Sequence, residues 1–200
     1  MELYRTYFDR HRTQRDIINI GLFLLAVFIG TMLVNTFFMQ SFRVEGRSME
    51  STLFTGDRLV VNRIPVTLSK IQNKDYVPDR GQVIVFKNPL YQQGASEEYI
   101  VKRVIAFPGE RVVVSDGTLT VYNAAHPQGF HPDDQVKGPG SPTSGNSDIT
   151  VTDGSLYVAG DHREGSYSLD SRNQLGLIPY YDVIGPVGAR IYPFNQIRTF

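Results

Sequence analysis

The stretch IINIGLFLLAVFIGTMLVNTFFM, residues 17–39, divides this chain into two unequal parts and contains no charged residue. As an α-helix it would be about 35 Å long, more than the roughly 30 Å of a hydrocarbon core. A buried core helix normally has a polar face, whereas few polar side chains interrupt this run. The apolar region of a cleavable secretory signal is shorter, about 7–15 residues. The run therefore predicts a transmembrane signal-anchor that remains attached to the chain.

Arginines on the two sides of this predicted span favour one orientation by a narrow margin. Four precede it and three follow it: Arg5, Arg10, Arg12 and Arg15, then Arg43, Arg47 and Arg58. Because positive loops stay in the cytoplasm, this balance predicts a cytoplasmic flank at residues 1–16. It also predicts a single pass through the membrane, with residues 40–200 forming one domain on the side away from the cytoplasm.

The composition of the whole chain limits its class. About 160 residues follow the predicted span, enough for one domain with a hydrophobic core. The formal net charge is zero, which gives no indication of a nucleic-acid partner. The chain has no cysteine, which excludes a disulfide framework and a thiolate metal site. With 18 glycines and 11 prolines, it suits a loop-rich β-domain.

Beyond the span, short β-branched and aromatic runs alternate with turn residues. They predict strands at Arg58–Asn62, Gln82–Phe86, Tyr99–Phe107, Arg111–Ser115, Thr118–Tyr122, Asp148–Val151, Ser155–Ala159 and Val183–Tyr192. Asp116-Gly117 fits a two-residue hairpin turn, and the short run Val66–Ile71 is ambiguous. We therefore expect a mainly β protein, in which an N-terminal transmembrane helix precedes an antiparallel β-rich domain.

Residues 123–147 differ from their surroundings. They are crowded with Pro, Gly, Ser and Asn, which predicts an exposed strand or loop excursion rather than core. His126 and His131 lie within the segment, but no neighbouring residues complete a metal site. We interpret them as surface histidines and expect no metal.

The segment VEGRSMESTL, Val44 to Leu53, follows the predicted span closely. An extended chain advances at most about 3.6 Å per residue, so Ser48 lies within about 29 Å of Gln40 and acts close to a bilayer. The segment begins like a Gly-x-Ser-x-Gly elbow. Glu50 replaces the final glycine, however, and no strand–turn–helix pattern follows, which argues against an α/β-hydrolase.

Lys102 is the candidate base for this serine, because it lies inside the predicted strand Tyr99–Phe107. Alternation places it on one face with apolar Ile100, Val104 and Ala106. Burial there would favour the neutral amine, which can act as a general base. A pKa lowered from about 10.4 to about 8 would cost roughly 3 kcal/mol of stability. The strand pattern alone favours instead a lysine whose amine reaches solvent while its stem covers the sheet.

A series of motifs follows the predicted anchor: Ser48-Met49-x-x-Thr52-Leu53, Gly56-Asp57, Lys102-Arg103 followed by Pro108-Gly109-Glu110, Gly160-Asp161-x-Arg163 and Ser168-x-Asp170-Ser171-Arg172. In this order they resemble the motifs of type I signal peptidases. The resemblance implies a membrane-bound serine endopeptidase that removes N-terminal signal peptides from exported preproteins without a cofactor. It also implies contact with the lipid bilayer and the protein-export machinery.

The same resemblance assigns roles to individual residues. Ser48 would be the nucleophile of a Ser/Lys dyad, Lys102 its general base, and Ser168 the hydroxyl that orients the lysine amine. Two ion pairs would hold the framework, Asp161 with Arg103 and Asp170 with Arg172. Four apolar residues would line a shallow pocket for the small residue before the cut: Val44, Met49, Leu53 and Val101. The substrate would add a strand beside the chain leading into the nucleophile.

The chain departs from the family pattern at several positions. Ser51 stands where proline is usual, and His162 replaces the usual asparagine. Ser166-Tyr167 resembles a two-residue insertion, which leaves Ser166 as a competitor for the role of Ser168. Gly46 lacks the hydroxyl that some members use to stabilise the oxyanion. The backbone N–H of the nucleophile should therefore carry more of that task.

Other functions remain open from the residues alone. A Ser-His-Asp hydrolase could use Ser48 and His162 with Asp161 or Asp170. A single-pass protein whose β-domain binds a secretion partner, without catalysis, is a second alternative. Self-cleaving repressors also use Ser/Lys chemistry, but they carry a DNA-binding domain where this chain has an apolar span.

Overall fold

The computed structural model describes residues 12–94 and 97–200, and the chain divides after Phe38 into two units. The described part of the first unit is one long α-helix, α1 (Arg12–Phe37). Its apolar side chains are exposed, 67% in the case of Phe23. By length and composition α1 can cross a membrane. Residues 1–11 of the predicted flank lie outside the described residues.

The helix does not have the same bounds as the predicted span, residues 17–39. The helix already includes Arg12, and it ends at Phe37 instead of Met39. Met39 begins the first strand, β1 (Met39–Arg43), where it lies opposite Asn62. Hydropathy could not locate this boundary because Phe38 and Met39 are as apolar as the helix before them.

The second unit, residues 39–200, is mainly β, as predicted. Its elements after β1 are β2 (Arg58–Asn62), α2 (Ile64–Ile71), β3 (Val83–Lys87), β4 (Tyr99–Ala106), β5 (Arg111–Ser115), β6 (Thr118–Tyr122), β7 (Ser147–Thr150), β8 (Ser155–Ala159), β9 (Ile178–Pro179), β10 (Val183–Tyr192) and β11 (Arg198–Thr199). Short 3-10 helices lie at Pro132–Gln135, Tyr180–Asp182 and Phe194–Gln196. All eight predicted strands are present, five with the predicted bounds, whereas β1, β9 and β11 were missed and the ambiguous Val66–Ile71 is part of a helix.

The strands form two antiparallel sheets. The large sheet has the order β1-β2-β10-β3-β4-β8-β9, with β11 on β10, and the small sheet has the order β6-β5-β7. Strand β10 pairs with β3 through Val183–Pro186 and with β2 through Val187–Tyr192. It therefore joins the β1–β2 hairpin to the β3–β4 hairpin within one sheet.

Three clusters of buried apolar side chains fill the unit. The first packs around Ile84, Phe86 and Val104, and the second includes residues of both sheets. The third lies around Leu59, Val61 and Val85 and includes side chains from the β1–β2 loop. Ala106 belongs to the second cluster, not with Val104, because a register shift between these two residues interrupts the alternation of β4. The prediction that both share one face was wrong at this point.

The excursion at 123–147 is only partly exposed. His126 and His131 are exposed as predicted, but Pro132 and Thr143 are buried. The segment packs against the loop after β8, where the N–H of Gly140 donates to the Asp161 carbonyl at 2.9 Å. The prediction of a segment that stays outside the core was therefore wrong at Pro132 and Thr143. Among the described residues no group of three or more potential metal ligands occurs.

Candidate active site

Ser48 lies on the loop that connects β1 to β2. Two backbone hydrogen bonds close the loop beyond the strands, from the N–H of Val44 to the Asp57 carbonyl at 2.8 Å and from the N–H of Gly56 to the Val44 carbonyl at 2.9 Å. The loop therefore starts from a rigid hairpin base. This base presents Ser48 at a defined place beside the sheet.

Met49 and Leu53 anchor the loop to the core of the unit. The N–H of Leu53 donates to the Met49 carbonyl at 2.8 Å, and the two side chains are 1% and 0% exposed within the third cluster. Both were predicted to line a substrate pocket. They do not line the cleft beside Ser48, because the turn directs their side chains into the core. In the structure they hold the loop in place.

Asp57 braces the end of the loop against β10. Its Oδ2 accepts hydrogen bonds from the N–H of Phe54 and from Nη1 of Arg190, both at 3.0 Å. Both charged side chains are buried. The Gly56-Asp57 motif had no assigned role in the sequence, and Arg190 was not singled out, because its partner is 133 residues away.

Strand β4 brings Lys102 to Ser48. The Nζ of Lys102 donates to Ser48 Oγ at 2.7 Å and to the Val101 carbonyl at 3.0 Å. Lys102 is only 3% exposed and lies opposite Ile84 of β3. The backbone N–H of Ser48 donates to no other residue in the described part of the chain. A hydroxyl, an amine and a free peptide N–H thus meet at one point.

Burial changes the protonation of this amine. Desolvation lowers the pKa of Lys102 to about 8, while the carboxylates of Asp170, Glu97 and Asp161 oppose the shift. A neutral lysine can accept a proton from a neighbouring hydroxyl, which a charged lysine cannot do. The site therefore places the amine within hydrogen-bonding distance of the hydroxyl and gives it a larger neutral fraction near neutral pH than a solvated lysine has.

Ser168 is fully buried near the same point but has a different partner from the predicted one. Its Oγ donates to Asp170 Oδ2 at 2.6 Å, and it makes no hydrogen bond to Lys102. The expectation of a direct bond to the amine was therefore wrong. A Cβ added at Gly160 would lie 2.1 Å from Ser168 Oγ and 2.3 Å from the Ser48 carbonyl. The absence of a side chain at residue 160 lets Ser168 and the Ser48 carbonyl lie close to that backbone. Ser166, the competing candidate for the role of Ser168, is exposed.

The two predicted ion pairs are present as buried contacts. Arg103 donates through Nε and Nη2 to Asp161 at 2.7 and 2.5 Å. Arg172 donates through Nε and Nη2 to Asp170 at 2.9 and 2.8 Å. Although burial alone raises the pKa of Asp170, its bonds from Arg172 hold that pKa below the ordinary value. The first pair connects β4 with the loop after β8, and the second lies within that loop.

Arg163, which the sequence singled out only as part of a motif, is a further buried arginine with a partner that was not predicted. The side chain of Arg163 is fully buried, and its Nη2 donates to Asp133 of the excursion at 2.6 Å. Burial lowers the pKa of Arg163 and raises that of Asp133. The composition of residues 123–147 gave no signal for this contact.

A cleft of about 270 Å³ opens beside Ser48 and Lys102. Val44 and Val101 line it, as predicted, and Leu59 and Val85 complete its apolar wall. Three carboxylates at its rim and two rings in tilted contact were not foreseen: Glu45, Glu97, Glu98, Phe42 and Tyr99. The cleft is thus apolar along one wall and acidic at its rim.

His162 does not form the alternative triad. Its Nδ1 lies 3.2 Å from the Arg47 carbonyl, and the hydroxyl of Ser48 is bonded to Lys102 instead. Asp161 and Asp170 are engaged by arginines. The geometry therefore favours the amine over the imidazole as the base.

Comparisons with known proteins identify a family for the chain. Residues 17–192 match the family described as signal peptidase, peptidase S26. The chain is 31% identical over 170 residues to signal peptidase I T of Bacillus subtilis, covering 84% of this chain and 81% of the relative. It is 27% identical over 196 residues to signal peptidase IB of Staphylococcus aureus, covering 92% and 94% of the two chains. A crystal structure of a signal peptidase I from Enterococcus faecalis aligns with a TM-score of 0.40 at 23% identity, over 55% of this chain and 96% of that one.

Proposed function

The chain belongs to the signal peptidase, peptidase S26, family, and from this membership we propose that it removes signal peptides from exported preproteins. In this proposal it is a serine endopeptidase that uses no cofactor. Ser48 is the nucleophile and Lys102 the general base. The observation that carries the proposal is the 2.7 Å hydrogen bond between Lys102 Nζ and Ser48 Oγ in a buried setting.

The first half of the reaction forms an acyl-enzyme. Neutral Lys102 takes the hydroxyl proton while Ser48 Oγ bonds to the scissile carbonyl carbon. The carbonyl oxygen becomes an oxyanion that accepts a hydrogen bond from the N–H of Ser48. When the tetrahedral intermediate collapses, the C–N bond breaks. Lys102 gives its proton to the leaving amine, which is the new N-terminus of the mature protein.

The second half releases the signal peptide. Lys102, neutral again, takes a proton from a water whose oxygen attacks the ester carbon. Collapse breaks the bond to Ser48 Oγ, which recovers the proton from Lys102. The signal peptide leaves with a free carboxylate. One water is consumed and the enzyme returns to its starting state.

In this proposal the side chain before the cut enters the cleft beside Ser48. Val44, Leu59, Val85 and Val101 form the apolar wall of this cleft. Residues 42–45 and 97–102 flank this space. In the proposal an extended substrate lies beside the chain leading into Ser48 and adds a strand. Such a substrate presents small residues at the first and third positions before the cut.

We place the protein in a cell membrane on the same grounds. Helix α1 is long and apolar enough to span a bilayer once, and the short connection to Ser48 keeps the reaction near the membrane surface. In this proposal residues 1–16 are cytoplasmic, and the catalytic unit works outside the cytoplasm together with the export machinery. A reporter fused after Phe200 should be found outside the cytoplasm.

The proposal is tested with a preprotein and detergent-solubilised enzyme. Ser48→Ala and Lys102→Ala should each abolish cleavage, whereas His162→Ala should retain measurable activity. Loss of activity in His162→Ala combined with full activity in Lys102→Ala would support a Ser-His-Asp hydrolase. If Ser48→Ala and the unchanged protein were equally inactive, the non-catalytic alternative would be favoured.

A further inference from the structure

One residue outside the proposed dyad is bonded to both peptide groups that flank Ser48. The Nδ1 atom of His162 lies 3.2 Å from the carbonyl oxygen of Arg47, in the peptide before the serine. The backbone N–H of His162 donates to the carbonyl of Ser48 at 3.1 Å, in the peptide after it. His162 thus holds the serine backbone on both sides.

Peptide geometry gives the first of these bonds a consequence for catalysis. The Arg47–Ser48 peptide is planar and trans, so its C=O and its N–H point in opposite directions. With the carbonyl oxygen held at the His162 ring, the N–H of Ser48 must point away from that ring. This N–H is the group that has no partner among the described residues. A hydrogen bond accepted by the carbonyl also strengthens the N–H of the same peptide as a donor.

The surroundings of the ring keep this bond in place. Because a carbonyl oxygen only accepts, the contact requires a proton on Nδ1, which both the δ-tautomer and the imidazolium carry. Glu50 Oε2 lies 3.7 Å from the same nitrogen, and it accepts a hydrogen bond from Nε of Arg47 at 3.0 Å. The ring of Tyr167 stacks on the imidazole with centroids 4.5 Å apart. The His162 side chain is only 18% exposed.

We infer that His162 is a positioning residue, which fixes the Arg47–Ser48 peptide so that the Ser48 N–H is aimed at the oxyanion. The inference rests on the proposed function and adds a residue to it. His162 touches neither substrate nor reacting atoms in this role. Its contribution should therefore appear in the transition state and not in substrate binding.

Two substitutions separate this role from a merely structural one. His162→Asn keeps an N–H donor on the atom bonded to Cγ, at the position of Nδ1, whereas His162→Leu has a similar size and no donor. Both remove the stacking on Tyr167, so the pair isolates the hydrogen bond. Each is assayed with a peptide substrate for kcat and KM and with a peptide aldehyde. The aldehyde forms a tetrahedral adduct with Ser48 that places an oxygen where the oxyanion forms.

We expect His162→Leu to lower kcat about tenfold to a hundredfold, less than or comparable to the loss of one oxyanion donor, with KM within about twofold. Affinity for the aldehyde should fall by a similar factor. His162→Asn should recover most of both. The midpoint of the pH–activity profile should stay at the value of the unchanged enzyme in each variant, since the base is Lys102.

Several results would overturn the inference. These are an unchanged kcat in His162→Leu, a loss confined to KM, an Asn variant as slow as the Leu variant, or a shifted pH midpoint. Ser48→Ala, assayed in parallel, distinguishes failure of the proposed function from failure of the inference about His162. Cleavage that survives in Ser48→Ala removes the proposed function together with the inference. An inactive Ser48→Ala beside a fully active His162→Leu removes the inference alone.

Discussion

The burial of Lys102 beside Ser48 lowers the stability of the folded protein. Its side chain is buried on β4, and desolvation lowers its pKa to about 8. The neutral form is the proposed base, and its share grows as the pH rises toward and past that value. We therefore expect both the activity of the enzyme and the effect of Lys102 on protein stability to change with pH in a definite direction.

The pH dependence of activity is the first prediction. Because only neutral Lys102 accepts the proton, kcat/KM should rise about tenfold per pH unit below about 8 and level off above it. Glu97→Gln removes a carboxylate that raises the pKa of Lys102, so its midpoint should be lower. Glu98→Gln is the matched control, because Glu98 lines the same rim without being among the groups that shift this pKa. A flat profile between pH 6 and pH 9 would contradict the assignment of the base.

The stability of Lys102→Met is the second prediction. A folded-state pKa of about 8 against an unfolded value of 10.5 corresponds to a cost of about 3 kcal/mol below pH 8. Between these values the unfolded chain holds more protons, so the stability of the unchanged protein rises with pH. The variant, inactive as an enzyme, should gain up to about 3 kcal/mol at pH 7 and almost nothing near pH 10.5. Urea unfolding at both pH values measures the difference, and an equal gain at both would be the contrary result.

For individual residues, the sequence could predict contacts between side chains that both belong to short motifs. Ser48, Lys102 and the two Arg–Asp pairs stand in a recognisable order, and the structure brings each pair into contact. The sequence could not predict the directions of side chains, which depend on the backbone path. Ser168 therefore bonds Asp170 and not the amine, and Met49 points into the core.

Among the elements, β10 carries an ion pair that holds the nucleophile loop. The buried pair of Arg190 and Asp57 ties β10 to the end of the β1–β2 loop. The pair of Arg111 and Asp148 ties β5 to β7, but both side chains are more than half exposed. Two pairs of the same chemistry therefore differ mainly in burial.

This contrast gives the third prediction. Arg190→Ala leaves the Asp57 carboxylate buried without its cation, which should cost about 3–5 kcal/mol of stability and reduce activity through the loop. Arg111→Ala, the control, should leave the unfolding midpoint almost unchanged, because water replaces its contact. Thermal unfolding of the two variants makes the comparison. Equal losses in both would show that burial does not decide the strength of these pairs.

The prediction of elements succeeded where the pattern was local. Strands with alternating β-branched residues, such as Arg111–Ser115 and Thr118–Tyr122, have the predicted bounds. The two-residue strands β9 and β11 were missed because they are too short to show a pattern. Strand β1 was missed because its first residue continues the apolar run of the helix.

For the whole molecule, the division after Phe38 separates the apolar helix from the unit that holds the site. The fourth prediction concerns a chain that begins at Met39. It should cleave a short soluble peptide with nearly the kcat/KM of the full chain, because the site lies within 39–200. Its processing of a preprotein held in lipid vesicles should fall by more than about tenfold, since the anchor supplies the effective concentration.

The two substrates provide the control within this experiment. A truncated chain that loses both activities would show that the helix supports the fold of the catalytic unit. One that keeps both would show that anchoring contributes nothing to processing. Activity is followed by the appearance of the shortened preprotein on a gel and by fluorescence of the short peptide.

For the whole molecule, the excursion at residues 123–147 shows what amino-acid composition cannot predict. Pro, Gly and Ser predict a loop, and most of residues 123–147 do lie in turns and bends. Composition cannot reveal that a loop folds back over another one. Asp133 reaches the buried Arg163, and the Gly138 carbonyl accepts a hydrogen bond from Ser51 at 3.0 Å. Such contacts depend on residues far apart in the chain.

The position of β10 also has a consequence for biosynthesis. Ser48 belongs to one hairpin and Lys102 to another, and the strand that lies between them in the sheet is the last long one to leave the ribosome. A nascent chain that lacks Val183–Tyr192 has both reactive groups but lacks the strand that joins their two hairpins. We expect a polypeptide stopped at Pro179 to show no turnover of the short peptide. Sheet order would then protect the cell from an unfinished protease, as a removable propeptide does in other enzymes.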